Sequence, residues 1–143
     1  MNVLAPVSTI MSTELITVNP EDPLTLVKEL LEKNHIHHIP VVRYKEIVGI
    51  ISKTDVLYFL KGLGDDSHEK MMNEIRLKNY KAESIMTKGL AKLESTDRIN
   101  VAIEVFKENL FHAIPVVDDG KLVGIVTTHD IMKALSEEKV ESK

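Results

Sequence analysis

Leu24, Val27 and Leu31 recur three and four residues apart, the period of a helix that buries one stripe. Asp22-Pro23 stands just ahead of them and reads as an N-cap followed by a proline in the first helical position. After that helix the pattern changes. IPVV at 39–42 and IVGII at 47–51 are short apolar, β-rich runs. Arg43-Tyr44-Lys45 between them predicts a hairpin, and Pro40 suits the start of a strand. LITV at 15–18 predicts a further short strand, and a short helix is expected over roughly 53–61. Ile99, Ala102, Ile103 and Phe106 then restart the helical stripe from Asp97, IPVV returns at 114–117, and Asp118-Asp119-Gly120 predicts a second hairpin turn into LVGIV. A last short helix is expected over 128–137. The order is β-α-β-β-α, written twice, an α/β (α+β) fold.

The doubling holds residue by residue. A shift of 75 carries Ile10-Met11 onto Ile85-Met86, Asp22 onto Asp97, His37 onto His112 and Asp55 onto Asp130. Ser12/Thr87, Ser52/Thr127 and Val56/Ile131 exchange like for like. Such a long period is a duplicated half-domain and not a solenoid repeat. A half of about 55–60 residues is marginal alone. The two are therefore expected to pack about a pseudo-twofold axis, as units over 4–61 and 79–136. A linker at 62–78 separates them, its helix carrying Met71, Met72 and Ile75, capped from Asp65 to Ser67, with Gly62 and Gly64 ending the helix before it. Residues 137–143 form a flexible tail.

Composition narrows the chemistry. Of 143 residues 43% are hydrophobic and only 4% aromatic, so the core must be aliphatic. A net charge of −4 argues against nucleic acid as the main partner. The absence of cysteine excludes disulfides, thiolate metal sites and cysteine nucleophiles. No apolar run approaches the ~20 residues of a spanning helix, and MNVLAPVSTIMST lacks the basic start of a secretory signal. A cytoplasmic protein is the expectation. Catalytic motifs are missing: there is no phosphate-binding loop with its lysine, no G-x-S-x-G and no H-E-x-x-H, so an enzyme is not expected.

The repeated GIISKTD (49–55) and GIVTTHD (124–130) carry the chemistry. Ser52-x-x-Asp55 and Thr127-x-x-Asp130 have the spacing of helix capping boxes. The same atoms make a ligand site. A helix N-terminus attracts anions, a hydroxyl at its mouth donates to phosphate, and a carboxylate accepts from a ribose diol. Gly49 and Gly124 would let the backbone approach a ligand closely. Spacing leaves both readings open.

Four motifs, I-M-[ST], h-T-V-x-P, h-P-V-V and G-h-h-[ST]-x-[ST]-D (h apolar), run in this order, and twice except where noted below. Together they resemble the CBS domain, named after cystathionine beta-synthase, over roughly 4–61 and 79–136. In that family two units form a regulatory Bateman module. The clefts between its halves bind AMP, ADP, ATP or S-adenosylmethionine. The resemblance implies that Ser52 and Thr54 serve the phosphate and Asp55 the ribose, beside Ile50. It implies the same of Ile125, Thr127 and Asp130, although His129 stands where the family has a hydroxyl. It assigns Thr17, Val18, His37, His38 and Ile39 to the site of Asp130, and Lys92, Leu93, His112, Ala113 and Ile114 to that of Asp55. Lys92-Leu93-Glu94-Ser95 departs from Thr17-Val18-Asn19-Pro20 by losing the threonine and the proline.

HIHHIPVV would set His35 and His37 on one strand face and His38 on the other. A metal site would need further converging ligands, and none is expected. The function implied is a sensor of adenine nucleotides, the magnesium requirement being open. It would act through a homodimer or an effector protein, with no nucleic acid or membrane partner. The competing reading is an interaction or dimerisation module whose S-x-x-D and T-x-x-D are caps only. A third is a binder of another adenosyl ligand.

Overall fold

The computed structural model describes residues 1–60, 67–108 and 111–138. In chain order it holds a 3-10 turn (Val7–Thr9), α1 (Leu24–Lys33), β1 (His38–Arg43), β2 (Glu46–Ser52), α2 (Lys53–Phe59), α3 (Ser67–Asn79), α4 (Ala82–Ile85), α5 (Ile99–Glu108), β3 (Ala113–Asp118), β4 (Lys121–Thr127) and α6 (Thr128–Ser136). β1–β2 and β3–β4 are separate antiparallel hairpins. Each return strand carries one extra residue. Val41 faces Gly49 while Val42 faces Ile47, and Val116 faces Gly124 while Val117 faces Leu122. Val48 and Val123 are thus bulged, which bends both ribbons alike.

Both hairpins turn where the pattern predicted. Tyr44 and Lys45 have φ of 52° and 68°, and Asp119 and Gly120 have 51° and 78°, the left-handed pair of a two-residue turn matched to strand twist. The helical stripes are also as expected: Leu24, Val27 and Leu31 are buried on α1, and Ile99 and Ala102 on α5.

Several expectations are corrected. The strand over 15–18 shrinks to a single parallel bridge. Val18 N–H donates to Pro40 O at 3.1 Å and Val18 O accepts from Val42 N–H at 2.8 Å, but the next residues already turn. Asp22 closes that turn: its N–H donates to Asn19 O at 3.0 Å and its Oδ2 accepts from Asn19 N–H at 2.8 Å. With the carboxylate engaged upstream, α1 starts one residue late and Pro23 takes the N-cap. Asp97 does the same with Glu94. His35 belongs to no strand. It follows the end of α1 with φ of 52°, and Ile36 N–H donates back to Leu31 O at 3.2 Å, a Schellman closure with histidine at the glycine position. On α3 the buried pair is Asn73 and Leu77, while Met71 and Ile75 are exposed, because Leu77 joins the core beside α1. The caps expected from Gly62, Gly64 and Asp65, and the tail from 139 onward, lie outside the described residues.

Two compact units emerge, Ile16–Leu90 and Met1–Leu15 with Ala91–Lys143. Each joins the body of one repeat to the leading segment of the other, and the shift of 75 maps one set of bonds onto the other. Ala82 N–H donates to Asp22 O at 2.8 Å, as Val7 N–H does to Asp97 O at 2.7 Å. Leu24 N–H donates to Tyr80 O at 3.0 Å, as Ile99 N–H does to Ala5 O at 2.9 Å. Each unit has its own aliphatic core. One holds Leu24, Val27, Ile39, Val41, Ile51, Leu77 and Ala82; the other holds Val7, Leu93, Ile99, Ala102, Ile114, Val116 and Val126.

Candidate functional site

The strand-to-helix corner is the same in both units. β2 ends at Ser52, whose backbone stays extended (φ −94°, ψ 160°), and α2 begins at once. Ser52 Oγ accepts from Asp55 N–H at 3.0 Å, and Asp55 Oδ2 accepts from Ser52 N–H at 2.8 Å. Thr127 and Asp130 repeat this at 3.0 and 2.8 Å ahead of α6. Both capping boxes are therefore closed. The first N–H of each helix is also engaged: Lys53 donates to His37 O at 2.8 Å and Thr128 to His112 O at 3.1 Å. Those bonds, with His38 paired to Ser52 and Ala113 to Thr127, bring the histidine-rich strand entry against the mouth of the helix.

In the unit 16–90 the corner gathers His37, His38, Ser52, Thr54 and Asp55; Ser52 and Asp55 are half-buried, and Thr54 and His37 exposed. In the other unit it gathers His112, Ala113, Thr127 and Asp130, with His129 exposed beside them. Thr17 and Lys92 are exposed, each next to the buried Val18 or Leu93. Ile50 and Ile125 are buried. Val18, Ile39, Leu93 and Ile114 point their side chains into the cores, so their backbone is what remains for a ligand.

The glycines do something other than admit a ligand. A Cβ on Gly49 would lie 2.5 Å from Met86 Sδ and 2.9 Å from Met86 Cβ. One on Gly124 would lie 2.6 Å from Met11 Sδ and 3.1 Å from Ser12 O. The methionine of each I-M-[ST] motif thus packs on the glycine of a G-h-h-[ST] motif. Backbone pairs hold it there, Thr87 with Ile50 (2.9 and 3.1 Å) and Ser12 with Ile125 (2.9 and 3.0 Å). Ser12, which sequence reasoning did not place at the site, thereby reaches it: its Oγ donates to Asp130 Oδ1 at 3.2 Å. The recurrence of a hydroxyl after Ile-Met was the signal available.

The departure at Lys92–Ser95 also has a structural account. Ser95 stands at the position of Pro20 and donates to Asp118 through Oγ at 2.5 Å and N–H at 3.0 Å. These bonds hold the Asp118 carboxyl below its ordinary value. In the first repeat Arg43 occupies the place of Asp118 and pairs with Glu21 at 2.5 Å. The same loop is tied to the same strand end by different chemistry.

The sequence profile of the CBS domain matches residues 7–62 and 82–137, and the chain belongs to that family as a tandem pair. It is 30% identical over 127 residues to the uncharacterized protein MJ1225 of Methanocaldococcus jannaschii, covering 86% of this chain and 44% of that protein. It thus spans under half the length of that relative. The structure of CBSX2 in complex with AMP superposes with a TM-score of 0.80 at 27% identity, over 95% of this chain and 99% of the other. The CBS domain pair of protein MJ0100, in complex with 5′-methylthioadenosine and S-adenosyl-L-methionine, gives 0.73 at 28% identity over 95% and 99%. Among the described residues no helix is long and apolar enough to cross a membrane.

Proposed function

We propose that this chain is a regulatory module that binds an adenine nucleotide, AMP, ADP or ATP, and passes its occupancy to a second copy or an effector protein in the cytoplasm. Asp55 and Asp130 accept the ribose hydroxyls, and Ser52 and Thr127 stand at the phosphate end. The remaining contacts follow the family assignment: Thr17, Val18, His37, His38 and Ile39 serve the ligand of Asp130, and Lys92, Leu93, His112, Ala113 and Ile114 that of Asp55. The observation carrying this reading is the duplicated hydroxyl–acid corner in a chain that is similar over 95% of its residues to a protein solved as an AMP complex.

The closed capping boxes favour a second reading, an interaction module in which the acids are caps alone. The two roles are compatible at one carboxylate, however. It offers about four lone-pair sites, and each cap uses one of them, on Oδ2. Asn in place of either aspartate separates the roles. The amide oxygen still accepts the backbone N–H, whereas the charge that holds a diol is gone. Asp55→Asn with Asp130→Asn should keep the fold and abolish nucleotide binding in calorimetric titration. Unchanged nucleotide binding by that double variant would refute the assignment. No binding by the wild type to any adenosine compound would favour the interaction module.

A further inference from the structure

The two carboxylates differ at their second oxygen. Asp130 has both oxygens engaged, Oδ2 by Thr127 N–H at 2.8 Å and Oδ1 by Ser12 Oγ at 3.2 Å. Among the described residues Asp55 has only Oδ2 engaged, by Ser52 N–H at 2.8 Å. Thr87 holds the position equivalent to Ser12, fixed by an equivalent pair of backbone bonds. Its hydroxyl donates no hydrogen bond to Asp55 among the described residues, and none reaches Asp55 Oδ1. A β-branched threonine is stiffer about χ1 than a serine. The exchange of Ser for Thr within I-M-[ST] accounts for the bond that Asp130 has and Asp55 lacks.

We infer that Ser12 is an affinity-determining residue: its hydroxyl competes with the ribose for Asp130, so the Asp130 site takes an adenosine ligand more weakly than the Asp55 site. This rests on the reading of both acids as ribose acceptors. A vicinal diol brings two donors to one carboxylate. On Asp55 it meets an oxygen that no described residue engages. On Asp130 it must displace or share with a hydroxyl that the backbone holds in place. Losing one such hydrogen bond is worth about 1 kcal/mol, or about fivefold in affinity.

The test uses the full chain and AMP in isothermal titration at fixed ionic strength. Asp55→Asn isolates the Asp130 site. Adding Ser12→Ala to it should tighten AMP about fivefold, and Ser12→Thr, which copies the other corner, should tighten it similarly. Thr87→Ala in the Asp130→Asn background should change affinity less than twofold. Ser12 is exposed and its strand pairing is through the backbone, so these variants keep the fold. If Asp55→Asn binds no AMP and Ser12→Ala restores binding, the inference stands. Unchanged or weaker binding on Ser12→Ala overturns it, as does an equal response to Thr87→Ala. Silence of the wild type toward AMP, ADP, ATP and S-adenosylmethionine overturns the functional reading itself, and this inference with it. Wild-type binding with a flat Ser12 response overturns only the inference.

Discussion

Gly49→Ala is the perturbation that probes the architecture most sharply. The new methyl would sit 2.5 Å from Met86 Sδ, 2.7 Å from Cγ and 2.9 Å from Cβ. The sulfur can swing away, but the Cβ cannot without moving the backbone. That backbone is clamped, since Thr87 and Ile50 exchange two hydrogen bonds at 2.9 and 3.1 Å. Overpacking of this kind costs about 1–3 kcal/mol, and the immovable Cβ argues for about 2. With a urea slope of about 2 kcal/mol per M, the midpoint should fall by about 1 M. Met86→Ala removes Sδ and Cγ and leaves only the Cβ at 2.9 Å. Alone it loses about 1–2 kcal/mol, less than a fully buried methionine would, because Met86 is half-buried. In the double variant the methyl meets that Cβ alone, so the two losses should fall short of additive by about 1 kcal/mol. Gly49→Ala with Met11→Ala should be additive within about 0.5 kcal/mol, as for sites sharing no partner. Gly124→Ala should couple to Met11→Ala in its place. Urea unfolding of the four single and three double variants followed by circular dichroism decides the matter. Coupling of Gly49 to Met11, or no coupling of Gly49 to Met86, would refute the exchange of leading segments between the repeats.

Lys45→Gly should stabilise the protein by about 1 kcal/mol, since a lysine now holds a left-handed position that Gly120 fills in the second hairpin; a thermal melt checks it, and destabilisation would contradict the turn geometry. Ser95→Ala should destabilise the fold at neutral pH and not in strong acid. The Asp118 carboxyl is depressed by Ser95, so its contribution is present above the unfolded-state value and lost as pH falls through the lower folded one. The gap between wild type and variant should therefore be full at neutral pH and close below the usual aspartate range, and a gap that does not vary with pH would contradict the assignment. Asp55→Ala and Asp130→Ala should each cost about 1 kcal/mol through the lost cap, and Asp→Asn clearly less, in urea titrations without nucleotide.

Much of this fold was legible because local physics and repetition agreed. Leu24, Val27 and Leu31 gave the buried stripe of α1, and the short apolar runs with their turn residues gave the hairpins. What was not legible depended on partners far along the chain. A repeat is cyclic information: it shows what a unit contains but not where along the period the chain is cut. Nothing local in Ile10-Met11-Ser12 says that it completes the corner at Asp130 while Ile85-Met86-Thr87 completes the one at Asp55. The role of Gly49 stayed hidden for the same reason, because the atom it makes room for comes from the other repeat. On α3 the apolar Met71 and Ile75 are exposed. Leu77 goes inward instead and takes Asn73 with it, whose Oδ1 accepts from Arg76 at 3.3 Å. At the candidate site the acids and hydroxyls were visible from spacing. Ser12 was not, because its contact with Asp130 exists only once the two segments are folded together.

The central claim is that this pair of CBS units binds adenine nucleotides, and thermal unfolding across a nucleotide panel tests it most directly. At one hundred times its dissociation constant a ligand stabilises the fold by about 2.7 kcal/mol, which for a chain of 143 residues raises the midpoint by several degrees. AMP, ADP or ATP should produce that rise and guanosine nucleotides none, with the rise abolished in Asp55→Asn/Asp130→Asn. A midpoint that no adenosine compound moves would contradict the account.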